Sequence, residues 1–528
     1  MIDGEMQSYA LTLDKFLDHA AKWHAGAEVV TATGENTCDR VDYATLNHRA
    51  RQVSALLMDL GVGHGDRVAT LAWNSQAHME AWYGIMGLGA ACHTLNPRLT
   101  PAQSAAMLQQ SGARVLIVSA DLLAFARTIL GEVPMAARIL LIDGPADASE
   151  GDASEYPLSR LDPDTVPAVD GIVWGDFEET TASGLCFTSG TTGAPKGVVY
   201  NHRSGYLQTL RLLQADVMGL TADDVVLAAV PMFHANAWGL PFAAPAVGAK
   251  LVLPGPRLDG ASLARLIASE GVTVAAGVPT VWLGLLNHIE AHGGDLPALK
   301  RLMVGGAPMP AALMARLEQR LGVTVQTSWG MTELSPLGTI CPPGDRQRQA
   351  ASAGRPAVGV DLLLTDEWGQ SLPEQRDVEG HLRVRGASVV GRYLGHEQPA
   401  TDDQGWFATG DLARIEADGN LIITGRAKDL IKSGGEWINP SEIEAIVGAL
   451  PRISQAAVIG RPDPRWGERP LLIVEVEGSD PITDEEILDA LRGRVASWWL
   501  PDTVVRVAGM PLAATGKIDK KRLRSEYA

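Results

Sequence analysis

A chain of 528 residues exceeds what one hydrophobic core usually holds, so a large body of subdomains, or several domains, is expected. With 46% hydrophobic and 20% charged residues, and Gly 56 with Pro 31, the composition is that of a turn-rich globular protein rather than a disordered one. A formal net charge of -18 excludes the general basic footprint that DNA, RNA or an acidic lipid surface requires, so any anionic ligand must be held by a local site.

The opening segment, residues 1–23, has no basic stretch followed by an apolar one and does not read as a secretion signal. Cys38, Cys92, Cys186 and Cys341 are far apart and form no CxxC pair, which suggests neither a zinc knuckle nor a disulfide framework and fits a reducing cytoplasm. Strands are predicted at 115–118, 139–142, 225–230, 272–276, 302–304 and 323–327, alternating with amphipathic helical patterns, so the fold class is α/β with substantial parallel sheet.

The most apolar stretch, 225–254, is interrupted by Pro231, His234, Asn236, Pro241, Pro245 and Lys250, and a membrane span is not expected. A helix predicted over 261–270 turns Leu263, Leu266 and Ile267 inward and stops at Gly271. Pro310 opens a second, with Leu313, Leu317 and Leu321 on one face and Gly322 as its stop.

Near Gly425 the chain becomes polar and glycine-containing, which places a boundary between a domain at 1–427 and a smaller one at 428–528. Ser441 with Glu444, and Thr483 with Glu486, have capping-box spacing ahead of apolar runs. Strands predicted at 457–459, 471–476 and 504–507 interleave with those helices, giving an α+β unit.

Residues 187–197 read Phe-Thr-Ser-Gly-Thr-Thr-Gly-Ala-Pro-Lys-Gly. Glycines let backbone approach a polyphosphate, the hydroxyls of Thr188, Ser189, Thr191 and Thr192 donate hydrogen bonds, and Lys196 supplies charge. A Walker A loop is excluded, because Gly197 follows the lysine and Pro195 precedes it.

This loop is followed in order by Trp329-Gly-Met-Thr-Glu333, Thr409-Gly-Asp411, Gly425-Arg-Ala-Lys-Asp429 and Ala514-Thr-Gly-Lys517. Together they resemble the five signatures of the acyl-adenylate-forming superfamily: acyl-CoA synthetases, peptide-synthetase adenylation domains and firefly-type luciferases. The likeness runs through nearly the whole chain. It implies a large N-terminal domain of layered α/β subdomains with a distorted barrel, and a small mobile α+β C-terminal domain.

The resemblance also implies roles. ATP phosphates would meet Thr188, Ser189, Gly190, Thr191, Thr192, Gly193 and Lys196, with Mg2+ placed by Glu333 and Thr192. Gly305, Gly306 and Ala307 would face the adenine, Asp411 and Arg426 the ribose, and Trp329, Gly330, Met331 and Thr332 the nucleotide near the acyl-phosphate junction. Lys517 would be the catalytic cation of adenylation and Lys428 the hinge that swings it. Lys432, Gly434 and Gly435 would receive coenzyme A, with Trp437 either stacking on its adenine or packing the domain interface.

The segment Pro231-Met-Phe-His-Ala-Asn-Ala-Trp-Gly239 resembles the acid-binding turn of fatty-acyl-CoA synthetases. His234 would lie by the carboxylate, with Ala235, Trp238, Gly239 and Gly330 lining the acid pocket and Trp238 as its gate. The implied activity is an ATP-dependent, AMP-forming acid:CoA ligase acting on medium- or long-chain fatty acids or 3-methylthiopropionate, as a homodimer. Aryl and branched acids stay open, as does an adenylation enzyme that loads a carrier protein, although residues 432–437 favour coenzyme A and no carrier module is expected after Lys517. A non-enzymatic nucleotide or acyl sensor would have no use for the charges at Lys517, Glu333 and Asp411.

Overall fold

The computed structural model describes residues 4–133, 137–143, 158–160, 171–188, 195–345, 348–476, 482–513 and 516–528. Among these residues the strands form four sheets. The largest has nine strands, in the order Arg355–Pro356, Leu337–Ile340, Thr324–Gly330, Arg301–Val304, Val274–Gly277, Val225–Ala228, Lys250–Leu253, Glu28–Ala32 and Cys38–Asp42. From Thr324–Gly330 to Glu28–Ala32 the pairing is parallel, and the edges are antiparallel.

A seven-stranded sheet runs Leu158–Arg160, Arg138–Ile142, Val115–Ser119, Arg67–Leu71, Ala91–Thr94, Ala182–Phe187 and Gly197–Asn201, parallel except for its last pair. Parallel strands covered on both faces should be continuously apolar, and Val115–Ser119 is buried at every position. The covering helices are punctuated as their sequences require. Thr100 and Gln103 form a capping box ahead of Pro101–Ser111. Helices Gly260–Glu270 and Ala311–Leu321 end on Gly271 and Gly322 at φ +66° and +67°, where a Cβ would be strained. Leu263, Leu266, Ile267, Leu313 and Leu317 are buried as the pattern predicts, each contributing about 1.5–3 kcal/mol.

The apolar stretch 225–254 folds into strand Val225–Ala228, a sharp turn, helix Leu240–Val247 and strand Lys250–Leu253. Among the described residues no helix is long and apolar enough to cross a membrane. Where a distorted barrel is expected, the described residues form a four-stranded antiparallel sheet, Val360–Thr365, Glu379–Gly386, Phe407–Ile415 and Leu421–Arg426.

The C-terminal part has its own five-stranded sheet. Glu436–Ile438, Ile431–Ser433, Gly467–Val476 and Ile453–Asp463 run in that order, and Thr503–Val507 pairs in parallel with Gly467–Val476. A separate core of Ile431, Ile443, Val447, Val458, Leu472 and Val474 supports it. Thr483 and Glu486 form the predicted capping box. The other expected box is corrected: Asn439, not Ser441, caps Pro440–Gly448, because Pro440 is pre-set for the first helical turn and starts the helix earlier. Glu444 instead accepts the Val458 N–H at 2.6 Å and pairs with Lys520 at 2.7 Å.

Candidate active site

In a parallel sheet, ligands bind off the carboxyl ends of the strands. A cavity of about 220 Å³ lies there. Ala229, Val230 and Pro231 follow strand Val225–Ala228, Val278 follows Val274–Gly277, and Gly306 follows Arg301–Val304; all five line it. Phe233, Leu258 and Val281 complete an apolar wall, while Arg98, His234, Thr280 and Lys517 are its polar groups.

Lys517 comes from the C-terminal part and enters this cavity. Its Cε stands 3.8 Å from where a Cβ on Gly306 would be, with Trp238 Cζ2 3.9 Å from the same point. The neighbouring Gly516 carbonyl accepts a hydrogen bond from Thr280 Oγ1 at 3.4 Å. Lys517 is exposed by surface area, yet protein atoms crowd around its ammonium. That desolvation, with Arg426 as a second cause, pushes its ammonium down to about 8. Burial and the Lys517 charge push the His234 imidazole down to about 4, so it is neutral at pH 7.

His234 and Trp238 are held by an unusual turn. Ala235, Asn236, Ala237, Trp238 and Gly239 all have left-handed φ, between 45° and 85°. Such winding costs L-residues about 1–2 kcal/mol each, so neighbouring contacts must offset it. The Ala237 N–H donates to the carbonyls of Pro231 and His234 at 3.2 Å each, and Cys186 Sγ–H donates to Asn236 Oδ1 at 3.4 Å. Ala235 and Ala237 are buried, which fits their small side chains.

Two carboxylates lie near by. Asp411 is 2% exposed; its Oδ2 accepts the Trp329 indole N–H at 2.9 Å and its Oδ1 pairs with Arg426 Nε at 2.7 Å. Asp411 and Arg426 are cross-strand partners, so the sheet itself sets this pair. Burial pushes the Asp411 carboxyl up, and Arg426, Trp329 and Lys517 oppose that. Glu333, also buried, accepts the Tyr393 hydroxyl at 2.9 Å on Oε1. Its second oxygen carries no hydrogen bond among the described residues, leaving a carboxylate oxygen of the kind a hard divalent cation takes.

Lys196 Nζ stands 4.9 Å over the Tyr393 ring, which joins this lysine to Glu333 through one phenol. The Thr188 N–H donates to the Lys196 carbonyl at 3.0 Å and closes the neck of that loop. Ser189, Gly190, Thr191, Thr192 and Gly193 lie outside the described residues.

The other expected residues divide into two groups. Gly305 packs under Trp238, its added Cβ falling 3.3 Å from Cη2 of that indole and 2.6 Å from Ser328 Oγ; Ala307 follows Gly306 in the same loop. Gly330 lies against the Pro336 carbonyl, where a Cβ would come within 2.1 Å, and the Met331 N–H donates to the same carbonyl at 3.0 Å. The Thr332 carbonyl accepts the Tyr200 hydroxyl at 2.8 Å.

Lys432, Gly434, Gly435 and Trp437 do not line the cavity. They sit on the hairpin Ile431–Ser433/Glu436–Ile438, where Lys432 Nζ stacks 5.3 Å over an exposed Trp437. Gly434 and Gly435 have φ +60° and +94°, and Trp466 packs where a Gly434 Cβ would be. Lys428 is in the one-turn helix Ala427–Asp429 between the last strand of the four-stranded sheet and this hairpin. Sequence reasoning missed Tyr393, Arg98 and Thr280. The first two are lone polar residues in loops, and Thr280 opens a helix, so no spacing marks any of them.

The AMP-binding enzyme family matches residues 17–394, and the AMP-binding enzyme C-terminal domain matches 442–517. A 3-methylmercaptopropionyl-CoA ligase of Ruegeria lacuscaerulensis is 41% identical over 99% of this chain and 98% of its own. A medium-chain-fatty-acid–CoA ligase of Ectopseudomonas oleovorans is 40% identical over 99% and 97%. Among solved structures, the anthranilate CoA ligase AuaEII in complex with anthranoyl-AMP superposes with a TM-score of 0.88 at 27% identity, covering 98% of both chains. The family's two matched regions meet physically where Lys517 enters the cavity walled by His234, Trp238 and Gly306, and the chain belongs to the AMP-binding enzyme family.

Proposed function

We propose that the protein is an ATP-dependent, AMP-forming carboxylic acid:CoA ligase. The observation that carries this reading is the delivery of Lys517 into a largely apolar cavity beside neutral His234, with Arg98 and Thr280 as the remaining polar groups. In the first half-reaction a carboxylate oxygen attacks the α-phosphorus of ATP, the bond to the β-phosphate bridge breaks, and pyrophosphate leaves with the electron pair. Both partners are anionic, so a cation placed beforehand stabilises the transition state; Lys517 is that cation.

His234 orients the carboxylate as a neutral hydrogen-bonding partner. Asp411, fixed by Trp329 and Arg426, binds the ribose hydroxyls. Glu333, held by Tyr393, is the protein's ligand for Mg2+, which supplies charge neutralisation at the phosphates when bound. Thr192 as a second ligand is carried from the sequence, as is phosphate binding by Ser189–Gly193.

In the second half-reaction the coenzyme A thiol, losing its proton, attacks the acyl carbonyl and AMP leaves. The two domains, 1–427 and 428–528, turn about Lys428 so that Lys432, Gly434, Gly435 and Trp437 face the site in place of Lys517. The paired left-handed glycines give the hairpin a turn without side chains, a shape suited to a thin pantetheine arm.

Two of the relatives are named for 3-methylmercaptopropionyl-CoA and medium-chain fatty acids, and the cavity is small at about 220 Å³. We place the substrate among aliphatic acids of short to medium length, longer ones needing Trp238 to move. A cytoplasmic homodimer completes the reading, supported by four unpaired cysteines for the compartment; light scattering against the 56.0 kDa protomer tests the assembly. The deciding experiment incubates the purified protein with ATP, Mg2+, coenzyme A and an aliphatic and aryl acid panel. AMP and acyl-CoA release is expected, and adenylate formation without acyl-CoA would favour a carrier-loading enzyme instead.

A further inference from the structure

Helix Pro440–Gly448 of the C-terminal part packs against strand Leu421–Arg426 of the four-stranded sheet, and Asn439 bridges this seam. Its Oδ1 accepts the Ser441 N–H at 3.1 Å and so caps helix Pro440–Gly448, while its Nδ2 donates across the seam to the Thr424 carbonyl at 2.8 Å. The side chain is 5% exposed, so the bond is made away from water. Gly425 follows Thr424 on strand Leu421–Arg426, and a Cβ there would stand 2.7 Å from Asn439 Oδ1. Gly425 is not among the glycines with positive φ, so close approach, rather than backbone conformation, is what a side chain would violate.

Glu442, in the first turn of the capped helix, accepts from Asn439 Nδ2 at 3.4 Å; burial and the like charge of Glu379 hold its carboxyl above the usual range, and the Asn439 bond opposes that. On the C-terminal side, Arg524 pairs with Asp429 at 2.7 Å and ties the chain just after Lys428 to helix Lys520–Tyr527. The segment beyond Lys428 therefore moves with Lys517, and Asn439 moves with both.

We propose that Asn439 is a positioning residue for Lys517: its bond to Thr424, permitted by the missing side chain at Gly425, seats the C-terminal domain in the orientation that puts Lys517 in the cavity. This rests on the two-step ligase reading. A single hydrogen bond across the contact is enough to bias which half-reaction the enzyme is set for.

Two variants test it in the full chain. Asn439→Asp keeps the size and the helix cap but turns the donor into an acceptor facing a carbonyl and Glu442; Gly425→Ala adds one methyl at the point of contact. Acid-dependent pyrophosphate exchange should fall about tenfold in each, while thioester formation from supplied acyl-AMP and coenzyme A stays within about twofold of the parent. Equal loss in both half-reactions, or loss in neither, overturns the proposal. Should Gly425→Ala not fold, Asn439→Asp and Asn439→Ser, both good caps, decide between those outcomes. Absence of exchange in the parent protein would instead sink the ligase reading, and this inference with it.

Discussion

Trp329 donates its indole N–H to Asp411 at 2.9 Å, joining residues 82 positions apart, and Arg426 closes on the other oxygen of the same carboxylate at 2.7 Å. Three separate sequence motifs thus converge on one buried group. Trp329→Phe keeps the ring and removes the donor; a hydrogen bond to a charged group is worth about 1.5–3 kcal/mol, so KM for ATP should rise about tenfold with KM for the acid little changed. Steady-state kinetics with each substrate varied in turn checks this.

Lys517→Ala should lower adenylation by about a hundredfold or more while sparing thioester formation from supplied acyl-AMP. Equal loss of both steps would contradict the assignment.

The ammonium of Lys517 has its pKa held at about 8, below the ordinary lysine value, because its charged form is desolvated. In the proposed role the charged form stabilises the transition state, so kcat/KM for adenylation should be full below pH 7 as far as this group is concerned and decline as pH rises through about 8. Lys517→Arg stays charged across that range, and its profile should lose this alkaline limb even if its rate is lower. A limb that persists unchanged belongs to some other group.

Glu333 and Tyr393 should act together on the metal requirement. EDTA should stop ATP consumption. Tyr393→Phe, which removes the bond that orients the carboxylate, should raise the Mg2+ concentration for half-maximal rate about tenfold, and Glu333→Gln further.

Trp238 forms one wall of a small cavity, with Gly305 packed beneath it. Trp238→Ala should raise the kcat/KM ratio of a long-chain over a short-chain acid at least about tenfold, and Val281→Phe should lower it. Rates across a series of linear acids measure both.

The layered α/β plan was legible because the buried parallel strands are short apolar runs rich in Val, Ile and Leu, with helices stopped by Gly271 and Gly322. Strand ends were less so. The strand predicted over 225–230 ends at Ala228, since the backbone turns away to build the cavity wall at Ala229–Pro231. The capping residue of Pro440–Gly448 was missed because spacing alone favoured Ser441, whereas Pro440 starts the helix earlier. Nothing in Ala-Asn-Ala-Trp marks four consecutive left-handed residues, as among the five only Gly239 and, to a lesser degree, Asn236 favour that region. Contacts such as Trp329–Asp411 and Tyr393–Glu333 arise from tertiary placement, which local pattern does not encode.

That left-handed segment limits how the acid preference can be retuned. Residues wound against their natural hand tolerate few replacements, and larger ones at Ala235 or Ala237 would also have to fit buried space. Redesign for bulkier acids is better directed at Leu258 and Val281, apolar lining residues whose backbone lies outside the left-handed region. The rigid turn would then serve as a fixed anchor for the carboxylate while that apolar wall is carved to measure.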